Sequence, residues 1–251
     1  KFESFELKTG SLRNQLKNAP KREEFAGISM TKIQFPDENE KMETFLIKES
    51  SVMDPVLAQK FPENKSYVGV SEKDASKRIH FSLNQLGLNA IIMDTKGGVR
   101  YIEPLSKDKE KYKVYYRRDI QNESAFECFT DNREISFKSG VGLKNTEDGK
   151  LRTYKLALAG TGEYSQFHIN NQGGQGLSDA QKKTLVLSAM TTAITRVNAI
   201  FENDLAVSMQ LVSNNEDIIY LDPENDPYTN DDGFLMLTEN QTNCDAVIGS
   251  A

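Results

Sequence analysis

The stretch "RIHFSLNQLGLNAIIMDTKGGVRYIEP" occupies residues 78–104, and its reading as sheet or helix decides the fold of the first half. It divides into "RIHFSLNQLG" (78–87) and "LNAIIMDTKGGVRYIEP" (88–104), with "KYKVYYRRD" (111–119) following. Aromatic and β-branched residues recur, bounded by turn signals, which is strand chemistry. "DTKGG" supplies the positive-φ positions of a tight turn, because glycine lacks the Cβ that forbids them. The segment is therefore an antiparallel meander burying Phe81, Ile91, Met93, Val99, Tyr101 and Val114, or their neighbours. Its alternation is imperfect and leaves open which face is buried.

Working outward, "FESFELK" (2–8), "ISMTKIQFP" (28–36) and "ETFLIKES" (43–50) read as further strands. "SLRNQLKNAP" (11–20) has Leu12 and Leu16 one helical turn apart and stops at Pro20, which predicts a short helix. "DPVLAQKFP" (54–62) predicts another, closed by Pro62. The polar, glycine-bearing stretch 131–150 marks a connection. Beyond it the pattern changes. "LRTYKLALAGTGEYSQF" (151–167) reads as a long strand, and "NNQGGQGLSDAQ" as a loop ending in a helix start. Ser178 and Gln181 form an S-x-x-Q capping box. The helix it opens runs to about Asn203, with Val186, Met190, Ala193, Val197 and Ile200 at helical spacing. "LAVSMQLVSN" (205–214) and "DIIYLDP" (217–223) predict two more strands, and "GFLMLTENQTNCDAVIG" (233–249) a last helix. The fold class is α+β: a β-rich first half, then a mixed sheet with a long helix.

The 251 residues are 37% hydrophobic and 27% charged, as in a globular chain with a core and a polar surface. A net charge of −6 argues against a general nucleic-acid or anionic-membrane binder. No apolar run approaches the roughly 20 residues of a membrane span. Two cysteines cannot form a disulfide framework, so the redox compartment stays open.

Candidate sites are few. "NQGGQGLSD" lies where phosphate loops occur but has neither dinucleotide nor P-loop spacing, and Asp179 would repel phosphate; it reads as a connection with its own cap. "YTNDDGFLMLTE" (228–239) imitates a calcium loop through Asn230, Asp232, Gly233 and Glu239, but Tyr228 stands where aspartate is needed. The same aspartates can cap the helix that follows. Asp222, Glu224 and Asp226 read as a solvated turn. His80 and His168 are the only histidines, and neither belongs to a metal-binding spacing. The residues alone offer no catalytic group.

Several segments together carry more. "VMDPVLAQKFPENKSYVGVS" and "GLNAIIMDTKGGVRYIEP" resemble the propeptide of bacterial reprolysin-like zinc metallopeptidases. "LRTYKLALAGTGEYSQFH", "LSAMTTAITRVNAIFENDLAVSMQLV", "IIYLDPENDPYTN" and "ENQTNCDAVIGSA" are similar to the opening of their catalytic domain. The resemblance implies a propeptide over 1–137, a linker or processing region at 138–150, and the first part of a metzincin-like domain over 151–251. It implies a secreted or cell-surface precursor of a zinc endopeptidase that cleaves peptide or protein substrates with metal-activated water. The zinc motif H-E-x-x-H-x-x-G-x-x-H is not in this sequence, so its ligands, and the remaining catalytic half that partners this one, are expected beyond Ala251. This chain alone is expected to bind no zinc and to be inactive. Cys128, in "AFECFTDN" (125–132), is then placed to direct a thiolate at that zinc and hold the enzyme latent, although a small buried residue in a strand is the more common use of a free cysteine. Cys244 packs in its helix or pairs beyond the end. The alternative is a non-catalytic binding or inhibitory module derived from such a peptidase. An apolar face left exposed in the second half would favour the precursor, since an autonomous module would cover it with charge.

Overall fold

The computed structural model describes residues 2–37, 41–95, 98–120, 148–230 and 232–249. The first half contains β1 (Glu3–Glu6), α1 (Thr9–Leu16), β2 (Lys32–Pro36), β3 (Met42–Glu49), α2 (Pro55–Lys60), β4 (Lys65–Ser71), β5 (Arg78–Asn84), β6 (Gly87–Asp94), β7 (Gly98–Pro104) and β8 (Lys111–Tyr116). The second contains β9 (Arg152–Leu156), α3 (Gly162–Asn171), α4 (Asp179–Asp204), β10 (Val207–Leu211) and α5 (Gly233–Val247). The α+β class is as the sequence predicts.

The eight first-half strands form one antiparallel sheet in the order β1-β8-β7-β6-β5-β4-β3-β2. The sheet curls until its two edges border a single groove of about 520 Å³, where Leu12 of α1 meets Leu7 and Ile33. Register then fixes what lies inside. Tyr67, Phe81, Ala90, Ile102 and Val114 are successive cross-strand partners, and all five belong to one buried cluster with Phe35, Phe45, Leu12 and Leu16. Rings stack within it, with Tyr67 and Phe81 at 4.9 Å. Among these inward positions Arg100 is charged; its guanidinium pairs with Glu43 at 3.1 Å, which in turn meets Lys77. At the β6–β7 turn Gly98 has φ +89°, as the glycine pair predicts.

The expected buried set mixes two faces. Phe81 and Val114 point inward, but the partners His80, Ile91, Tyr101 and Tyr115 point outward. Ile91 is buried all the same, 1% exposed, because α4 covers the outer face as well. A strand covered on both faces loses its simple alternation, which is why the meander gave no decision.

In the second half β9 and β10 pair in parallel. The long strand expected over 151–167 stops at Leu156, and Gly162–Asn171 is helical. Thr161 accepts a hydrogen bond from the Tyr164 N–H and Glu163 sits in the first turn, so a cap was hidden within a strand-like pattern. Gly162 lets the 222–226 loop approach: a Cβ there would lie 2.2 Å from Pro223 N. The strand expected over 217–223 is a 3-10 turn (Asn215–Ile218) followed by a single bridge from Ile219 to Gly160. Two buried asparagines replace missing ladder partners. Asn198 receives the Met209 N–H and donates to the Met209 carbonyl, both at 2.8 Å. Asn215 does the same for Leu158 at 2.8 and 3.0 Å.

The capping box opens α4 as expected. The helix is apolar and long enough to cross a membrane by composition, but 67% of its apolar window is buried between the two halves. Val186, Leu187, Met190 and Ile194 face the second core, whereas Ala193 and Ile200, expected on the buried stripe, face outward. The side toward the sheet is polar. Ser188 meets Asn64 (2.6 Å), Thr192 meets Ser82 (2.9 Å), and Arg196 meets Glu103 (2.6 Å). Arg22 adds a two-oxygen contact to Glu202, at 2.8 and 3.0 Å.

His80 lies in this seam, 5% exposed, and burial pushes its imidazole down to about 4; Glu202 opposes that shift while Arg22 and Arg78 reinforce it. The unfolded chain therefore takes up the proton first. Stability should fall as pH drops from about 6.5 to about 4 by roughly 3 kcal/mol from this group, and fall no further through it below that. Urea midpoints measured over that window should slope less in His80→Gln than in the wild type. Asn198→Ala should cost about 2 kcal/mol by stranding both Met209 backbone groups, read as a lower urea midpoint at unchanged m-value.

Candidate functional site

The second half carries the residues singled out as possible ligands, and they can be followed from the loop that joins Ile219 to α5. Asp226 anchors this loop by accepting the Gly162 N–H at 2.6 Å and the Tyr228 N–H at 2.9 Å. Tyr228 then donates to Asn240 and accepts from Asn243, while the Tyr220 hydroxyl donates to Asn243 at 2.6 Å. Burial raises the Tyr228 hydroxyl above its ordinary value, so it stays a neutral donor at physiological pH. The result is an amide–phenol clasp holding the loop on α5.

The calcium-like residues are drawn in different directions. Asn230 donates to Glu163 on α3 at 2.6 Å. Glu239 accepts from the Thr229 N–H and hydroxyl at 2.8 and 2.7 Å. Asp232 caps α5, accepting from the Phe234 and Leu235 N–H groups at 3.0 Å each. Asp222 ties its own turn, and the hydrogen bond from Asn225 lowers its carboxyl below the usual range. Among the described residues no group of three or more His, Cys, Asp or Glu side chains could hold a metal ion. His168 sits on α3 between Tyr164 and Phe167, and burial lowers its imidazole. His80 lies across the molecule on β5. These residues do not fit a zinc ion, and no zinc-dependent step is assigned to them.

The cysteines separate in the same way. Cys244 is a free thiol on α5 directed at Asn240 Oδ1, 3.6 Å away; burial raises it, so it is not a ready thiolate. Cys128 lies outside the described residues, as does most of the 138–150 connection.

A groove of about 410 Å³ opens where β7 and β8 meet the C-terminal half of α4, floored by Ile91, Val197 and Ile200. Glu103 sits at its wall. Burial alone would raise that carboxyl, but Arg196, the Tyr115 hydroxyl and Lys113 outweigh it and hold it below the ordinary value. Arg196 also lies over the Tyr101 ring, 5.7 Å from its centroid. Glu103 pairs with both Arg196 and Lys113, so the cluster fastens the two halves together. Sequence offered no sign of it, since Glu103 and Arg196 are 93 positions apart.

What the second half does present is uncovered apolar and strand surface. β9 is hydrogen-bonded to β10 alone among the described strands, and Tyr154 on it is 56% exposed. α5 has no buried residue; Phe234 is 64% and Leu237 67% exposed, with Leu235 and Val247 also open.

No curated protein matches the chain. Residues 187–250, about a quarter of it, match the family model of metallo-peptidase family M12B, reprolysin-like; the match spans most of α4, then β10, the clasped loop and α5, and it supports a metallopeptidase relationship for that part of the chain.

Proposed function

We propose that the chain is the propeptide and the opening portion of the catalytic domain of a secreted or cell-surface zinc metalloendopeptidase. The curled sheet, within 1–137, is the propeptide; 138–150 is the processing region; 151–251 begins the catalytic domain. The zinc ligands and the substrate-aligning strand follow Ala251 in the complete protein. The observation that carries this reading is the reprolysin-like match over 187–250, whose last helix, α5, leaves Leu235 and Leu237 exposed beside the edge of β9 that is unpaired among the described residues. An edge strand beside an apolar helix is the surface on which further strands and helices of one domain pack. Arg152 and Lys155 flank Tyr154 on β9, but Leu235 and Leu237 lie open on α5, which favours the precursor over an autonomous binding or inhibitory module.

In this reading the described residues supply scaffold, and the chain by itself hydrolyses no peptide bond. Zinc, held in the complete protein, would supply an activated water for peptide hydrolysis. The clasp Tyr220–Tyr228–Asn243 and the Asn215–Leu158 pair hold the β9 edge and α5 where the remaining half packs.

The coding region past Ala251 should contain H-E-x-x-H-x-x-G-x-x-H within about 100 residues; a stop codon there would end the proposal. If the motif is present, the purified full-length protein should bind one zinc and cleave casein after processing, while the 251-residue chain should do neither. Cys128→Ala in the full precursor should raise activity before processing. Unchanged latency would remove the latch and leave the peptidase reading standing.

A further inference from the structure

One stretch of the first half belongs energetically to the second. Between β3 and β4 the chain leaves the sheet, and Val52–Asp54 runs parallel to β10 along the edge that β9 does not use. The Leu211 N–H donates to the Val52 carbonyl at 2.8 Å, and the Asp54 N–H donates to the Leu211 carbonyl at 2.9 Å. Asp54 then caps α2, accepting from the Val56 N–H, with Pro55 fixing the first turn. That short helix drives Leu57 to complete burial.

Val52, Met53 and Leu57 pack with Val186, Leu187, Met190, Ile194, Leu211 and Ile219, and none of the three joins the core of the sheet. Both flanks are tied down. Lys155 donates to Asp54 at 2.7 Å and Lys60 pairs with Glu216, while on the sheet side the Val52 N–H donates to Ser66 Oγ at 3.1 Å. By contrast, the seam under α4 consists of hydroxyls, amides and ion pairs, whose exchange for water costs little net free energy.

We propose that residues 52–57 are a donated strand and plug, through which the sheet domain completes the core of the second half. The edge of β10 with its adjoining slot is the docking surface, suited to an extended apolar–apolar–Asp–Pro segment followed by a leucine two positions on. This insertion, rather than the polar seam, keeps the second half folded. The idea does not depend on the peptidase reading, and its test uses no enzymatic activity.

Hydrogen exchange followed by mass spectrometry on the full 251-residue chain gives that test. Leu57→Ala should speed exchange by about a hundredfold in 185–194 and 207–211 while β5 to β7 keep their protection. Leu57→Val, a milder truncation for the case that the alanine variant does not fold, should show the same pattern at about tenfold. The double variant Ser82→Ala, Thr192→Val should leave 207–211 within a few-fold of wild type. Equal acceleration in both halves, no acceleration in 207–211, or a double variant that matches Leu57→Ala would each overturn the proposal.

Discussion

Among the described residues the two halves are joined through the burial of α4 on two unlike surfaces. One side meets Met53, Leu57, Leu211 and Ile219 and is held by apolar burial. The other meets the outer face of β5 and β6 and is held by matched polar groups at Ser188, Thr192 and Arg196, one turn apart each time. Apolar burial contributes roughly 25 cal/mol per Å², whereas a hydrogen bond exchanged with water contributes about 1 kcal/mol. The two sides therefore differ in kind. A hydroxyl seam fixes register and orientation, because a misplaced helix would strand several buried polar groups, but it adds little to net stability.

That division explains where the sequence was legible. Helices with local signals could be read directly: Leu12 and Leu16 before Pro20 for α1, the stretch 54–62 ending at Pro62 for α2, and the Ser178–Gln181 capping box for α4. The glycine pair before Val99 announced the β6–β7 turn. Failures came where tertiary contact decided. The meander hid its inner face because Ile91 and Tyr101 are covered by α4 while Phe81 and Ala90 fill the curled sheet. Residues 162–167 imitated the end of a strand until Thr161 and the approach of Pro223 revealed a capped helix. "DIIYLDP" has strand composition but pairs only through the bridge from Ile219 to Gly160, since Asn215 has taken the neighbouring Leu158 backbone groups.

The candidate site followed the same rule. The absence of a catalytic spacing could be read in the sequence, and so could the doubt about a calcium loop led by tyrosine. What the geometry adds is the use to which Asn230, Asp232 and Glu239 are put: a link to α3, a helix cap and a threonine clasp. Glu103, Arg196, Arg22 and Glu202 were invisible because ion pairs across 93 and 180 positions leave no local pattern. The reprolysin-like resemblance was carried by six stretches, and the family model spans the last three of them up to residue 250, from α4 to α5.

Those two helices make the final contrast. Both lie in the matched region, yet α4 buries twelve residues and α5 none. On α5 Phe234 and Leu237 are largely exposed and Met236 is only partly buried, and the helix is fastened by the Asp232 cap and the tyrosine–asparagine clasp. Apolar groups held out by polar fastenings lower stability unless another surface meets them. The sheet half has solved the corresponding problem on the opposite side by lending Val52 to Leu57 to the edge of β10. One flank of the second half is thus closed by a neighbour in the same chain, whereas among the described residues the outer edge of β9 and the apolar side chains of α5 have no such cover.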